Sequence, residues 1–295
     1  MEEKMIAKKY FLIILLAFFY ILPSRAIDEV KEEGVARAWP QMQYADSEGI
    51  KYQLVCLKNV KEDPFVDFVT SLFSTKDVFK LYENGEPYTK ERAKRLWNRV
   101  YPRTVEWFKG HNEFIPWTVI QQITDRDEPV TFVGILGAHL HTNEMAKEYK
   151  GVEICCAVDP KFWRKGVMSN ACRVYFQTFS QQLRDLGERF NRIFAPISPV
   201  NPLSLNLAFK LGFEIGAKDS PDKPYVSGYF PNLKLEEAEK ERLLGEAFYI
   251  AQTMKEGKID LVSQLAQSDM EKLKAFRVVV VMSKEALFRK LLETK

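Results

Sequence analysis

The sequence predicts a mixed α/β domain, and three observations predict it. Two apolar, β-branched runs, "FIPWTVIQQI" (114–123) and "VTFVGILGAHL" (130–140), flank the turn-rich "TDRDEP" and read as a hairpin. A strand at "GVEICCAV" (151–158), an amphipathic helix from Gly166 and a strand at "RIFAPIS" (192–198) form a crossover, in which the two strands should lie parallel. After a charged helical stretch, "RVVVVM" (277–282) returns to strand and "SKEALFRKLLET" closes the chain as a capped helix.

The remaining elements follow in order. "KYQLVCLK" (51–58) alternates as a strand does, and "PFVDFVTSLFST" (64–75) reads as a helix. "TKERAKRLWNRVYPRTVEWFKG" (89–110) is helical too, with a break expected at Pro102. "HTNEMAKEYK" (141–150) is a loop. The crossover helix carries Val167, Ala171, Val174, Tyr175, Phe179, Leu183 and Leu186 at three- and four-residue spacing, and Gly187 stands where its C-terminal glycine belongs. Asn201 and Pro202 supply an N-cap and a first-turn proline to the next helix, which Gly212 ends before the short strand "FEIGAK". Residues 218–275 read as an inserted helical subdomain before the last strand.

Of 295 residues 46% are hydrophobic and 13% aromatic, enough for a packed core, so the chain is globular and not disordered. A net charge of +3, with both signs interspersed, calls for no nucleic-acid partner. Cys56, Cys155, Cys156 and Cys172 contain no CxxC pair and suggest buried thiols, neither a disulfide framework nor a zinc site. Residues 1–26 place lysines before the apolar run Phe11–Leu22 and small residues Ser24 and Ala26 after it, the layout of a secretory signal peptide cleaved after Ala26. A non-cleaved membrane anchor and an ordinary cytosolic segment are the alternatives. Residues 27–46 are expected to be a linker, and the domain to run from 47 to 295.

The strand-to-helix junction "WRKGVMS" (163–169) has the chemistry an anion requires. A helix beginning at Gly166 exposes unpaired amides and its positive dipole end, and Arg164 and Lys165 add charge. A βα turn with solvated basic residues is the plainer reading. No GxxxxGK[ST] and no GxGxxG after a strand is present.

The order of elements, with Trp163, Arg164, Lys165, Gly166, Val167 and Met168 at the junction and "NPLSLNLAFKLGF" (201–213) beyond it, resembles the GNAT superfamily of acyl-CoA N-acyltransferases. The nearest branch looks like the RimJ/RimL type, which acetylates protein N-termini and small amines. The resemblance covers residues 47–217 and the closing strand and helix. It implies a mixed, mostly antiparallel central sheet with a splayed parallel strand pair, flanking helices, and acetyl-CoA as acyl donor. It also implies a pyrophosphate site at Trp163 to Ser169, a pantetheine-binding edge at Cys156, Ala157 and Val158, and a coenzyme contact at Asn201. Two positions depart from the family pattern: Met168 replaces a small residue, and Ala208 stands where many members have a proton-donating tyrosine. Ser204, the serine of N-x-x-S, becomes the expected proton donor.

Attack on a thioester requires a neutral amine, and the amine's pKa is about 10, so a base is needed. Glu153, on the strand of the expected edge, is the candidate; a strand-end glutamate facing water is the alternative. His139 and His141 share a strand face and are a second possible base or, more weakly, metal ligands; exposed hairpin histidines are the plainer reading, and no metal is expected. Cys155 and Cys156 are expected to be packed and not to carry an acyl group. Arg92, Arg95, Arg99 and Arg103 would favour an acidic or phosphorylated acceptor if they line the cleft, and solvated helix charges are the plainer reading. The expected function is acetyl transfer to a primary amine of a protein N-terminus or small molecule. Because an export signal conflicts with a cytosolic donor, an exported or membrane-tethered binding protein that keeps the scaffold without activity is the rival, and the N-terminal segment its only expected membrane contact.

Overall fold

The computed structural model describes residues 39–293, apart from 41, 80–85, 112–114, 125–129, 142–150, 186–191, 217–225, 229–234, 258–269, 271 and 275. The signal-like segment, most of the linker, the 141–150 loop beyond His141 and Gly187 lie outside these residues. No helix among those described is long and apolar enough to cross a membrane.

Nine described strands form one sheet: β1 (Gln43–Ala45), β2 (Lys51–Cys56), β3 (Thr118–Gln122), β4 (Thr131–His141), β5 (Gly151–Val158), β6 (Arg192–Ile197), β7 (Glu214–Ile215), β8 (Val226–Gly228) and β9 (Phe276–Ser283). The order is β1-β2-β3-β4-β5-β6-β9-β7, and β8 pairs with β9 beside β7. Every described pairing is antiparallel except β5 with β6, as the crossover requires. The helices are α1 (Glu62–Ser74), α2 (Lys76–Phe79), α3 (Lys90–Phe108), α4 (Val167–Thr178), α5 (Ser180–Asp185), α6 (Pro202–Leu211), α7 (Glu237–Lys255) and α8 (Lys284–Glu293).

Strand side chains alternate between faces, so the sheet carries a core on each side. On β5, Val152, Ile154, Cys156 and Val158 face the larger core, with Val167, Ala171 and Tyr175 of α4, Leu205 and Ala208 of α6, and Leu287 of α8. Cys155 and Ala157 face the smaller one, built from Phe65, Val69 and Phe73 of α1, Trp97 and Val100 of α3, and Trp117. Two buried polar groups on these layers are paired: Tyr175 Oη donates to the Pro116 carbonyl at 2.8 Å, and Trp107 Nε1 to Gln182 Oε1 at 2.7 Å.

Four expectations need correction. The domain starts before Ser47, because β1 pairs with β2 and Met42 is buried. Residues 218–275 do not form a separate subdomain where they are described. Leu243, Ala247, Ile250 and Met254 recur on one face of α7 and enter the larger core, while β8 extends the sheet. Pro102 does not break α3, which runs through it. Proline forfeits its bond to the carbonyl four residues back, but that carbonyl belongs to exposed Asn98, where water can replace the lost donor. Finally, the crossover helix is divided at Phe179, whose ring is fixed among Trp39, Trp107 and Tyr175.

In the smaller core Gly137 of β4 lies against the ring of Trp117. A Cβ there would lie 2.1 Å from Cδ2 of Trp117, whose ring covers the strand at that point. Gly137→Ala is therefore expected to destabilise the domain by about 1–3 kcal/mol through overpacking, read as a lower urea midpoint. An unchanged midpoint would mean that the Trp117 ring shifts at little cost.

Candidate active site

β5 and β6 pair over three positions only, Gly151 with Arg192, Val152 with Ile193 and Glu153 with Phe194. Beyond Glu153 the strands part. β5 stays paired with β4 to Val158, and β6 pairs with β9 to Ile197, so each is held from its outer side while the edges facing one another lie open. Because the strands are parallel, their carboxyl ends lie on the same side of the sheet. The junction into α4 and the junction into α6 therefore flank one opening, where ligands settle in open α/β sheets. Of the predicted edge, Cys156, Ala157 and Val158 line the β5 side. The Val158 carbonyl is already taken by Trp163 Nε1 at 2.8 Å, so Trp163 ties the junction to the strand end.

The junction itself is a tight left-handed bend. Arg164 has φ 64° and Gly166 φ 83°, and Gly166 is the N-cap of α4, with Asn170 N returning to its carbonyl at 3.0 Å. Glycine is favoured there because its φ is positive. A Cβ at Gly166 would make only ordinary contacts, the nearest to Asn170 Nδ2 at 3.7 Å, so the positive φ and not crowding is what favours glycine. The amides of Val167, Met168 and Ser169 belong to the first helical turn and have no intrahelical acceptor. The side chains of Val167 and Met168 are buried in the larger core, so Met168 points away from the opening. Its side chain therefore does not cover the amides. Ser169 Oγ donates to the Gly166 carbonyl at 2.9 Å.

The two cations of the junction differ. Lys165 Nζ pairs with Glu48 Oε2 at 3.0 Å, whereas exposed Arg164 has no ion-pair partner among the described residues. The Lys165 carbonyl accepts from both Ser47 N at 2.9 Å and Ser47 Oγ at 3.0 Å, and Asn170 Nδ2 donates to Ala45 O at 2.8 Å. Asp46 shapes this β1–β2 turn by accepting from the amides of Glu48 and Ile50 and from Tyr52 Oη. The buttress lies more than a hundred residues upstream of the loop it supports. Local sequence reading missed it, since Ser47 and Glu48 look like any polar turn.

Glu153 stands at the closed end of the splay, opposite His139 on β4 and Phe194 on β6. It shares its face with Cys155, and its charge together with desolvation pushes the Cys155 thiol well up, desolvation being the larger cause. That leaves Cys155 a neutral thiol, unsuited to attack. Cys156 and Cys172 hydrogen-bond to one another between β5 and α4, and Cys172 is pushed up by that bond and by burial. His139 Nδ1 accepts from Arg103 Nη1 of α3 at 3.1 Å, and its ring lies 5.1 Å from that of Trp117. His141 takes the register position opposite Gly151. No three His, Cys, Asp or Glu side chains among the described residues gather as a metal site requires.

At the other junction Asn201 Oδ1 accepts from Ser204 N at 3.1 Å, so Asn201 is the N-cap of α6. Ser204 lies in that first turn, partly exposed, and Ala208 is buried one turn later. Ser198, at the end of β6, keeps a buried hydroxyl with no hydrogen-bond partner. The predicted residues thus divide into two groups: Cys156 to Ser169 around the α4 junction, and Asn201 with Ser204 at the α6 junction across the opening, while Glu153 marks its closed end.

The chain is similar in structure to RimJ of Mycobacterium smegmatis in complex with CoA-disulfide, at 12% identity and a TM-score of 0.49 over 87% of this chain and 96% of that one. It is similar to a GNAT-family acetyltransferase from Bacillus anthracis, at 14% identity and 0.46 over 79% and 95%. It is also similar to the ribosomal-protein-S5-alanine acetyltransferase of Vibrio fischeri, at 13% identity and 0.43 over 79% and 93%. No curated protein matches the chain. Residues 55–214, more than half of the length and the stretch that holds the splay, the α4 junction and the α6 cap, match the model of the acetyltransferase (GNAT) domain, and the chain belongs to the GNAT acetyltransferase family.

Proposed function

We propose that the protein transfers an acetyl group from acetyl-CoA to a primary amine of a protein N-terminus or small molecule, in the manner of the RimJ/RimL branch. The observation that carries this reading is the parting of β5 and β6 after Glu153, beside a helix N-terminus whose amides are unoccupied by the chain. The residues fit the donor. An extended pantetheine has an open strand edge at Cys156 to Val158 to pair with, and a pyrophosphate has the first-turn amides of α4, the dipole and Arg164. Acetyl-CoA supplies the activated acyl carbon and a thiol leaving group.

The chain's own groups would do the rest. Glu153 takes the proton from the amine, directly or through water, as the nitrogen lone pair forms the C–N bond. A backbone amide of the open β5 edge stabilises the oxyanion. As the C–S bond breaks, Ser204 gives its proton to the departing thiolate, and the proton held by Glu153 returns to the serine through water. Cys155, a raised thiol, and His139, engaged by Arg103, remain outside these steps.

Two measurements test this reading. Acetyl-CoA at about 100 times its Kd is expected to stabilise the fold by about 2.7 kcal/mol, seen as a higher Tm. Gly166→Glu, which sets a carboxylate on the strained bend against the incoming phosphates, is expected to abolish that rise. No rise in the wild-type chain at millimolar acetyl-CoA would falsify the donor assignment. Glu153→Gln is expected to lower kcat by roughly a hundredfold or more while keeping the Tm rise. Wild-type turnover in that variant would remove Glu153 from the chemistry.

A further inference from the structure

We infer that Ser47, in the turn between β1 and β2, is a positioning residue for the acyl donor: it holds the Lys165 backbone in the bend that aims the first-turn amides of α4 at the phosphates of acetyl-CoA. The inference rests on the acetyltransferase reading above and deepens it. Ser47 lies upstream of residues 55–214, the stretch that matches the family domain.

Arg164 and Gly166 both take positive φ, 64° and 83°, with Lys165 between them. A left-handed conformation is unfavourable for arginine, which has a Cβ, and it persists where surrounding contacts dictate it. Those contacts come from two sides. Trp163 is tied to the end of β5 by its indole bond to the Val158 carbonyl at 2.8 Å. From the other side Ser47 donates twice to the Lys165 carbonyl, from N at 2.9 Å and from Oγ at 3.0 Å. Asn170 Nδ2 donates to the Ala45 carbonyl at 2.8 Å, so the start of α4 is fastened to the same hairpin. The Lys165 carbonyl and the Gly166 N–H belong to one planar peptide unit. Fixing the carbonyl therefore fixes where that N–H points, and with it the direction in which the helix and its free amides set out.

The turn can serve as a fixed point because it is itself held. Gly49 N donates to the Asp46 carbonyl at 3.2 Å, which closes a four-residue turn over 46–49 with Ser47 at its second position. Asp46 is buried, and its Oδ1 accepts from the amides of Glu48 at 2.8 Å and Ile50 at 3.0 Å. Its Oδ2 accepts from the hydroxyl of fully buried Tyr52 at 3.0 Å. Ser47 itself is exposed, so its bonds shape the 163–169 loop and contribute little to the core.

The test compares the binding of two donors to the full chain: acetyl-CoA, and S-acetylpantetheine, which lacks the phosphates. Ser47→Ala deletes the hydroxyl bond. Ser47→Pro deletes the amide bond as well, and proline suits the second position of such a turn. One net hydrogen bond corresponds to roughly two- to tenfold in an equilibrium constant. The Kd of acetyl-CoA is therefore expected to rise roughly threefold in Ser47→Ala and roughly tenfold or more in Ser47→Pro. Ser47→Thr, which keeps both donor groups, should restore wild-type binding. S-acetylpantetheine should bind all four chains alike, and the ligand-free Tm of Ser47→Ala should match the wild type, which a merely structural role would not allow. Equal weakening of both donors, or acetyl-CoA binding that survives Ser47→Pro, would overturn the inference and leave the acetyltransferase reading standing. If Ser47→Pro does not fold, Ser47→Ala beside Ser47→Thr decides: a loss confined to acetyl-CoA supports the inference, and no loss overturns it. Absence of acetyl-CoA binding in the wild type would remove the acetyltransferase reading and the inference together, so the two failures are told apart by the unsubstituted chain.

Discussion

The site depends on one constraint: β5 and β6 must each be paired on the far side before they can afford to separate on the near side. Backbone N–H and C=O groups left without partners are costly in a protein interior. Here β4 covers β5 along all eight of its residues, and β9 covers all six of β6. The strands can then stop pairing with each other after Glu153 without losing their place in the sheet. β9 has to come from the far end of the sequence to do this, past the whole 218–275 stretch. That stretch in turn packs α7 onto the core beneath β9 and supplies β8 to its edge.

Most of the sheet was legible because its strands announce themselves by local chemistry. Val119, Ile120, Val133 and Ile135 are β-branched and apolar on both sides of a turn, and "RVVVVM" admits little but a buried strand. The caps were legible for the same reason: Asn201 bonds Ser204 N, and Gly212 adopts φ 91° after α6. What sequence could not convey was non-local. β1 is three residues long, Gln43 to Ala45, and becomes a strand only through β2, while Pro102 is tolerated because its surroundings are wet.

The candidate site followed the same division. The expectation of an anion site at residues 163–169 rests on local features, whereas the direction of Met168 does not follow from them, since a methionine at that position can face either ligand or core. Its neighbours decide the matter: Val167 and Ala171 share its buried environment, and the helix face presented to the opening is left to Ser169 and Gly166. The arginines of α3 show the limit most clearly. Their four-residue spacing is visible in the sequence, but only the crossing of α3 over β4 brings Arg103 to His139.

The bond between Ser47 and Lys165 also has a consequence for how the molecule is made. It joins positions 118 residues apart, so the 163–169 loop takes its shape only after the polypeptide between them has folded and returned to the first hairpin. Once joined, the two are coupled in both directions. A ligand resting on the loop steadies the β1–β2 edge of the sheet, and fraying at that edge loosens the loop.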